Sequence, residues 1–364
     1  MNFPTSYTEI VNRIKNFDPS NYGQTRNHID GNVSYLSPYI SRGVISTKLI
    51  YQELKNKGYE KEELIKFTQE LAWRDYWQRV WISKGEEINS DLKNKQHFSE
   101  NDLIPISILE AKTQISAIDK GISTLLETGY MHNHIRMYLA SIACNIARSQ
   151  WQMPAKWMYY HLLDADWASN ALSWQWVSGA NSNKAYFANQ ENINQFCNSP
   201  DSKTFLDVSY SDFPLAEIPQ ELKELTDWNP SKVLPLPKSI EFDEALPSYI
   251  YTFYNLDPEW RKDEKGNRIL ILEPSHFNEY PVSSKTIDFT LALGENIEGL
   301  QLFLGEFAEL KKILGQSPIF YKEHPISNHF EGHQDPRDWL STVDGYHSSF
   351  FKFWKLVQKE LFES

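Results

Sequence analysis

The spacing of apolar residues divides the chain into two parts with different predicted secondary structure. Between about 36 and 195, apolar and aromatic residues recur every three or four positions, which is the period of an amphipathic helix. The clearest segments read EELIKFTQELAWRDYWQRVWI and HNHIRMYLASIACNIARSQW. One side of the first predicted helix carries Phe67, Glu70, Trp73, Arg74, Trp77 and Trp81.

Beyond about residue 247 the pattern changes to short β-like runs. These runs read YIYTFYNL, RILILEP, LQLFLG and PIFYKEH, and helical segments such as SSKTIDFTLALGENI and GEFAELKKIL separate them. This alternation predicts a small parallel sheet. The intervening passage, 201–246, is rich in proline, serine and acidic residues, which is typical of a linker or wrapping segment. We therefore predict a helical domain over 1–200 followed by a parallel α/β, Rossmann-like domain over 247–364.

Composition narrows the class of protein. Aromatic residues make up 14% of the chain, including 12 tryptophans, which is more than a plain scaffold needs. The two cysteines, Cys144 and Cys197, exclude a disulfide framework and a four-cysteine metal site. The start, MNFPTSYTEIV, lacks the features of a signal peptide, and no apolar run reaches the roughly 18 residues of a membrane span. These features predict a cytoplasmic protein with no membrane partner.

The net charge of −12 lies entirely in the C-terminal part of the chain. Residues 1–200 carry 20 basic and 20 acidic side chains, whereas 201–364 carry 16 and 28. An acidic chain is poorly suited to tight non-specific binding of nucleic acid, which depends on clustered lysine and arginine. A local basic patch in the neutral N-terminal part remains compatible with this balance.

The segment DADWASNALSWQW, residues 164–176, concentrates candidate chemistry. On a helix, Asp166, Asn170 and Trp174 share one face at i, i+4 and i+8. Carboxylates among tryptophans must be paired or must face a polar ligand. A flavin ring suits this face, because its N3–H and carbonyls pair with acids and amides while its surface accepts aromatic rings. A buried helix whose acids pair with arginines explains the segment equally well.

Four motifs together resemble the FAD-binding domain of photolyases and cryptochromes. They read YLSPYISRGVIS (35–46), QELAWRDYW (69–77), TGYMHNHIRM (128–137) and LLDADWASNALSWQW (162–176), and they occur in the family's order. The resemblance covers roughly 20–197 and is greatest to cyclobutane pyrimidine dimer photolyases. It implies FAD as the cofactor and leaves the antenna pigment undetermined. The family normally places an antenna-binding domain before the FAD domain, and because only about 20 residues precede Tyr22 we expect no such domain there.

The resemblance assigns cofactor-binding roles to residues in all four motifs. Ser34 and Ser37 are expected to precede a helix and to hold the pyrophosphate with the backbone N–H groups of 33–37, the alternative being an ordinary helix cap. Arg136 is expected to pair with Asp164. Asp166 is expected to accept from the flavin N3–H, and Asn170 to face N5. The full set is Tyr22, Val33, Ser34, Tyr35, Leu36, Ser37, Phe67, Arg74, Asn133, Arg136, Asp164, Ala165, Asp166 and Asn170.

The resemblance also implies a catalytic pocket for a pyrimidine dimer flipped out of UV-damaged DNA. The matching residues are Glu70, Trp73, Asn133, Met137 and Trp176. The alternative is that Glu70 pairs with Arg74 and that the tryptophans are core residues. Ala188 stands where the family usually has a DNA-contacting arginine, which puts DNA affinity in doubt. Whether the DNA is single- or double-stranded is left open.

Electron supply is the third role that the resemblance implies. Trp174 and Trp151 match the first two of three tryptophans that carry electrons to the flavin, and the third position falls near Phe98. Because a benzene ring is harder to oxidise than an indole, Trp157 or Tyr130 is a candidate replacement. The leading expectation is light-driven repair of cyclobutane pyrimidine dimers by excited reduced FAD. The alternatives are a blue-light photoreceptor that signals through a protein partner and a flavin-binding scaffold without photochemistry.

Two further expectations concern the C-terminal half. His324, His329, His333 and Asp335 lie close together in sequence, but their spacing fits no standard zinc pattern, so we predict no metal site. The order of strands and helices beyond 247 is similar to that of the family's antenna domain. We therefore expect that this domain has moved behind the FAD domain by circular permutation, the alternative being an unrelated α/β appendage.

Overall fold

The computed structural model of the chain describes residues 3–237 and 239–363. In chain order the α-helices are α1 (Tyr7–Asn16), α2 (Tyr22–Thr25), α3 (Ser37–Ser41), α4 (Thr47–Asn56), α5 (Lys61–Lys84), α6 (Ile106–Leu109), α7 (Ser116–Thr128), α8 (Asn133–Ser141), α9 (Gln152–His161), α10 (Trp167–Ser178), α11 (Gln190–Cys197), α12 (Pro274–Glu279), α13 (Ser284–Gly294), α14 (Phe307–Leu314) and α15 (Phe350–Phe362). The strands are β1 (Ile104–Pro105), β2 (Leu225–Thr226), β3 (Ser248–Tyr251), β4 (Asn267–Leu272), β5 (Leu300–Leu304), β6 (Ile319–Lys322) and β7 (His333–Asp335).

The chain divides into two compact units. The first consists of Met1–Ser20, Ser34–Ser83 and Ser231–Ser364, and the second of Asn21–Val33 and Lys84–Pro230. Two stretches of the predicted helical domain therefore cluster with the C-terminal α/β segment. The division into domains over 1–200, 201–246 and 247–364 was predicted from contiguous sequence segments, and it remains a proposal.

The first unit is built on a five-stranded sheet with the order β5-β4-β3-β6-β7. Every pair in it is parallel, which confirms the predicted parallel α/β arrangement. β3 is buried at all four positions, as expected for a central strand covered on both faces. One side of the sheet packs on α14, where Phe307, Leu310 and Leu314 join the core residues Ile250 and Ile271.

The order of the strands reverses between β3 and β6. In open α/β sheets, the carboxyl ends of the strands at such a point form a crevice. Here the rings of Tyr254, which follows β3, and His324, which follows β6, stack with centroids 4.3 Å apart. Trp81 of α5 meets His324 edge-on at 5.3 Å. Aromatic side chains of the first unit therefore pack at the carboxyl ends of these two strands.

Helices α8, α9 and α10 form the centre of the second unit. The Nδ1 atom of His132 accepts the His134 N–H at the start of α8, and one π-helical turn, Ile142–Ile146, continues the helix. α10 begins after Asp166, whose carboxylate accepts the Ser169 N–H, and it ends at Gly179 with φ 86°. The predicted helical segments around 133–146 and 167–176 are thus confirmed, and both present polar side chains at their first turns.

Candidate functional site

The predicted pyrophosphate loop, 33–37, precedes the short helix α3. Ser37 is the first residue of α3, so it lies on the helix instead of preceding it as expected. Tyr35 adopts a left-handed conformation with φ 54°, which a non-glycine residue rarely takes and which is often found at functional sites. Arg74 of α5 donates to the Ser37 carbonyl at 3.3 Å and to the Ser41 hydroxyl, and it thereby fixes α3 against α5.

Three predicted residues lie together on the same stretch of α5. Phe67 is buried against Phe17, with ring centroids 4.7 Å apart. Glu70 forms an ion pair with Lys66 at 3.0 Å, one turn earlier, while Arg74 binds α3. Glu70 therefore has an ion-pair partner one turn before it, and Arg74 is bonded to α3.

Trp73 packs against a ring that the sequence motifs did not indicate. Its ring and that of Phe350, the first residue of α15, are stacked with centroids 3.5 Å apart and planes 10° apart. Tyr76, one turn further along α5, packs on Phe353 at 5.8 Å. Within the first unit, the C-terminal helix therefore covers one face of a tryptophan that was predicted to contact a pyrimidine dimer.

The expected pair between Arg136 and Asp164 is present in the second unit. The Arg136 Nη2 atom lies 3.1 Å from each oxygen of the Asp164 carboxylate, and its Nε donates to the Met131 carbonyl at 2.8 Å. Asp164 and Asp166 are both buried. Burial lowers the pKa of the neighbouring His132 to about 4, so this ring is neutral at physiological pH.

Asp166 and Asn170 retain groups that suit the edge of a flavin ring. The Asp166 carboxylate caps α10, and a carboxylate has further acceptor positions for a donor such as the flavin N3–H. The amide nitrogen of Asn170 donates to the Ala155 carbonyl at 2.8 Å, which leaves the amide oxygen to meet an N–H group of a ligand. Between them, the Ser169 hydroxyl oxygen is buried without a hydrogen-bond partner in the described chain. The residues of α10 therefore fit a polar ring ligand.

The predicted dimer-contacting residues of the second unit are accessible to solvent. Asn133, the first residue of α8, is exposed, and its amide lies 3.9 Å from the Met137 sulfur. Trp176 on α10 is 39% exposed, although most tryptophans of this unit are buried. Its ring contacts Tyr186 at 6.0 Å. These three residues can therefore be reached by a substrate without unfolding the second unit.

The two predicted electron-transfer tryptophans are buried in the second unit. Trp174 is 2% exposed and Trp151 is 0% exposed. The Trp151 indole N–H donates to Asp91, and its ring lies 6.5 Å from that of Trp167. Phe98 packs on Phe187 at 5.5 Å. Asp91 and Trp167 were missed from the sequence, because a lone acid in a loop and one more tryptophan in an aromatic segment carry no distinguishing signal.

The C-terminal histidines have partners of other kinds. His329 bonds Glu273 at 2.9 Å, and His333 lies 3.3 Å from Asp335. Burial lowers the pKa of His324 well below its usual value. In residues 3–237 and 239–363, no group of three or more His, Cys, Asp or Glu side chains is arranged to hold a metal ion. None of the helices in the same residues has the length and apolar composition needed to span a bilayer.

Part of this chain matches a known protein family. Residues 67–206 match the family model of the FAD-binding domain of DNA photolyase. The resemblance to photolyases and cryptochromes, seen in the four motifs, is confirmed by this match, and FAD is the cofactor that the domain binds. The matched segment carries α8, α10 and most of α5, and with them the majority of the predicted site residues.

The individual relatives are photolyases and DASH cryptochromes. The chain is 31% identical over 149 residues to the deoxyribodipyrimidine photo-lyase of Alkalihalophilus pseudofirmus, covering 40% of this chain and 31% of that protein. It is 32% identical over 168 residues to the chloroplastic/mitochondrial cryptochrome DASH of Arabidopsis thaliana, covering 43% and 29%. A cryptochrome structure from Synechocystis aligns with a TM-score of 0.49 at 24% identity, over 54% of this chain and 44% of that one. The matches thus span about a third of the curated relatives' length.

Proposed function

We propose that the chain repairs cyclobutane pyrimidine dimers in DNA by light-driven electron transfer from reduced FAD. The observation that carries this proposal is the arrangement of α8 and α10 in the second unit. There, the Arg136–Asp164 pair stands beside buried Asp166 and Asn170, and Asn133 and Trp176 are accessible on the same two helices. A flavin site and an accessible aromatic contact for a base are both needed for repair by electron transfer.

The chain's own residues have separable roles in this proposal. Asp164 and Arg136 join the loop before α10 to α8, and Asp166 and Asn170 orient the edge of the ring. When bound and reduced, FAD would supply under blue light the electron that opens the ring of the dimer, without net oxidation or reduction. Trp176 offers a face on which one pyrimidine stacks, and Asn133 offers an amide for its polar edge.

A DNA partner has to bind this chain without the help of a net positive charge. Residues 1–200 have no net charge, but the second unit, which also includes 201–230, carries 12 basic and 19 acidic side chains and therefore a net charge of −7. Because the chain is not strongly basic, we expect it to recognise damaged DNA mainly by stacking and base flipping. Contacts with phosphates should be few and close to the lesion. UV-damaged DNA is accordingly the partner that we propose.

A blue-light photoreceptor is the second candidate, and the stacking of Trp73 on Phe350 favours it. A ring that already occupies one face of Trp73 competes with a pyrimidine for that face. If α15 stays in place, Trp73 cannot enclose a dimer on this side. In that case, the flavin photochemistry is more useful for signalling to a protein partner than for repair.

The repair assay on UV-treated oligonucleotides separates the two candidates. Purified protein with photoreduced FAD should restore undamaged thymines in blue light and not in the dark. Trp176→Ala should reduce the yield by about tenfold or more, because stacking on an aromatic ring contributes ~1–3 kcal/mol per base. Tyr210→Ala is the control, since Tyr210 is an exposed aromatic residue of the same unit that was not predicted to contact the dimer. No repair in blue light, with FAD bound, would refute the repair proposal.

A further inference from the structure

The indole N–H group of Trp151 is hydrogen-bonded to a carboxylate. The indole Nε1–H of Trp151 donates to the Asp91 Oδ1 at 2.8 Å, and the Trp151 ring is fully buried. The other oxygen of Asp91 accepts the Gln96 N–H at 2.9 Å. Asp91 itself is half-buried, so it connects a buried indole to the protein surface.

Two buried glutamines fix the loop that carries Asp91. The Gln96 side chain accepts the backbone N–H of Trp151 at 3.0 Å and donates to the Ser149 carbonyl at 2.8 Å. The Gln175 side chain accepts the Leu92 N–H at 3.2 Å and donates to the Ile88 carbonyl at 2.8 Å. Gln175 lies on α10 directly after Trp174. The loop is therefore tied both to Trp151 and to the helix of the other predicted electron-transfer tryptophan.

A second indole beside Trp151 has a different hydrogen-bond partner. Trp167 lies with its ring centroid 6.5 Å from that of Trp151, and it is equally buried. Its Nε1–H donates to the side-chain oxygen of Asn89 at 2.6 Å. An amide oxygen accepts a hydrogen bond but is not a base in water, whereas a carboxylate is both an acceptor and a base. The indole N–H of Trp151 is therefore bonded to a base, whereas that of Trp167 is bonded to an amide.

We propose that Asp91 accepts the Nε1 proton of Trp151 when this indole is oxidised during light-driven reduction of the flavin. The inference rests on the proposed flavin photochemistry of the same unit. One electron passes from Trp174 to the photoexcited oxidised flavin. A second electron passes from Trp151 to the Trp174 radical cation that this leaves. The Nε1–H bond of Trp151 breaks and a new O–H bond forms on Asp91. The products are a neutral Trp151 radical and a neutral carboxylic acid, and an external thiol returns an electron while Asp91 returns the proton.

The electrostatics of the site favour this step. Loss of an electron leaves a positive charge on a buried ring, and such a charge is costly unless it is paired. The carboxylate at 2.8 Å stabilises the cation, and proton transfer then removes both charges from the interior. Return of the electron to Trp151 becomes slower, because it then requires the proton to return as well. Asp91 therefore lengthens the lifetime of the pair formed by the reduced flavin and the oxidised Trp151.

Flash spectroscopy of the FAD-loaded protein tests the proposal through the spectrum of the oxidised tryptophan. The wild-type protein should show a neutral indole radical. Asp91→Asn, which retains a hydrogen-bond acceptor but not a base, should show an indole cation whose lifetime is about tenfold shorter. Asn89→Ala is the matched control, because it removes the acceptor of the neighbouring indole from the same loop. It should leave the neutral radical and its lifetime unchanged.

A measurement that does not depend on FAD or light tests the contact itself. In NMR spectra of the protein with and without FAD, one indole N–H should exchange slowly with solvent and shift upon Asp91→Asn, and the Trp151→Phe variant identifies it. A cation in the wild type, an unchanged spectrum in Asp91→Asn, or no light-induced indole radical would each overturn the proposal. Absence of dimer repair with the radical chemistry intact would refute only the proposed function.

Discussion

At the scale of single residues, one guanidinium and one carboxylate connect the two helical motifs of the second unit. The Arg136–Asp164 pair joins α8 to the loop before α10, and the Asp164 side chain is almost completely buried. Asp164→Ala removes these bonds and leaves a guanidinium uncompensated near the ring site. A lost charged hydrogen bond costs ~1.5–3 kcal/mol, so FAD should dissociate roughly 10- to 100-fold more readily.

Flavin retained after gel filtration measures this effect. Glu100→Ala is a suitable control, because it breaks an exposed ion pair with Arg148 elsewhere in the same unit. Equal FAD content in Asp164→Ala and in the wild type would disprove a role of the pair in holding the cofactor.

The tryptophans give a second prediction at this scale. If Trp174 is the first donor to the flavin, Trp174→Phe should abolish photoreduction, because a benzene ring is much harder to oxidise than an indole. Phe98→Ala should leave photoreduction nearly intact. Bleaching of the oxidised flavin band under blue light with excess thiol measures both variants. A full rate in Trp174→Phe would show that electrons enter by another route.

A buried acid in the first unit makes a third prediction. Burial raises the pKa of Asp75 to about 6, and its carboxylate accepts the Leu340 N–H and the Thr47 hydroxyl, with Arg79 and Arg337 nearby. Because the folded state binds this proton more tightly than the unfolded state, the free energy of unfolding should fall as pH rises from about 4 to 6. A displacement from 3.8 to about 6 corresponds to roughly 3 kcal/mol.

Denaturant unfolding at several pH values, followed by tryptophan fluorescence, measures this slope. Asp75→Asn keeps the shape of the side chain but does not titrate. Between pH 4 and 6, the free energy of unfolding of this variant should therefore change less with pH than that of the wild type. Identical pH profiles of the two proteins would show that Asp75 does not titrate in this range.

At the scale of elements, α5 is the helix on which several predicted roles converge. Its central part, 67–74, carries predicted cofactor and dimer residues, and α15 packs on α5 through Phe350 and Phe353. Phe350→Ala should expose Trp73 and destabilise the first unit by ~3–5 kcal/mol, since it truncates a nearly buried ring. Phe351→Ala, a change at a 69% exposed position, should have little effect.

The more conservative Phe350→Leu separates exposure of Trp73 from unfolding. It should keep the unit folded and increase the reaction of Trp73 with an indole-modifying reagent, as read by peptide mass spectrometry. If Trp73 reacts equally in the wild type and in this variant, α15 does not shield it in solution.

Periodic elements were accessible from sequence, whereas elements with short or polar patterns were not. α5 follows from the spacing of its apolar residues, and the four strands β3 to β6 follow from short apolar runs. β7 was missed because His333–Asp335 is short, polar and held by pairing with β6. The contact of Phe350 with Trp73 joins residues far apart in sequence, and no local pattern encodes it. In contrast, the Arg136–Asp164 pair was predicted, because both residues lie within recognisable motifs.

At the scale of the whole molecule, the predicted site residues are distributed over both compact units. Ser34, Ser37, Phe67, Glu70, Trp73 and Arg74 belong to the first, and Tyr22, Asn133, Arg136, Asp164, Asp166 and Asn170 belong to the second. Circular permutation, with an antenna-like domain moved to 247–364, stays a proposal.

The flavin content of the purified full-length chain is the most direct test of the central claim. The protein should bind FAD non-covalently, at close to one molecule per chain. Heat denaturation should release this flavin as intact FAD, including its adenine part. Mixing unloaded protein with FAD should restore the same ratio, whereas riboflavin should not replace it. A chain that is folded by circular dichroism but neither retains nor takes up FAD would contradict the account.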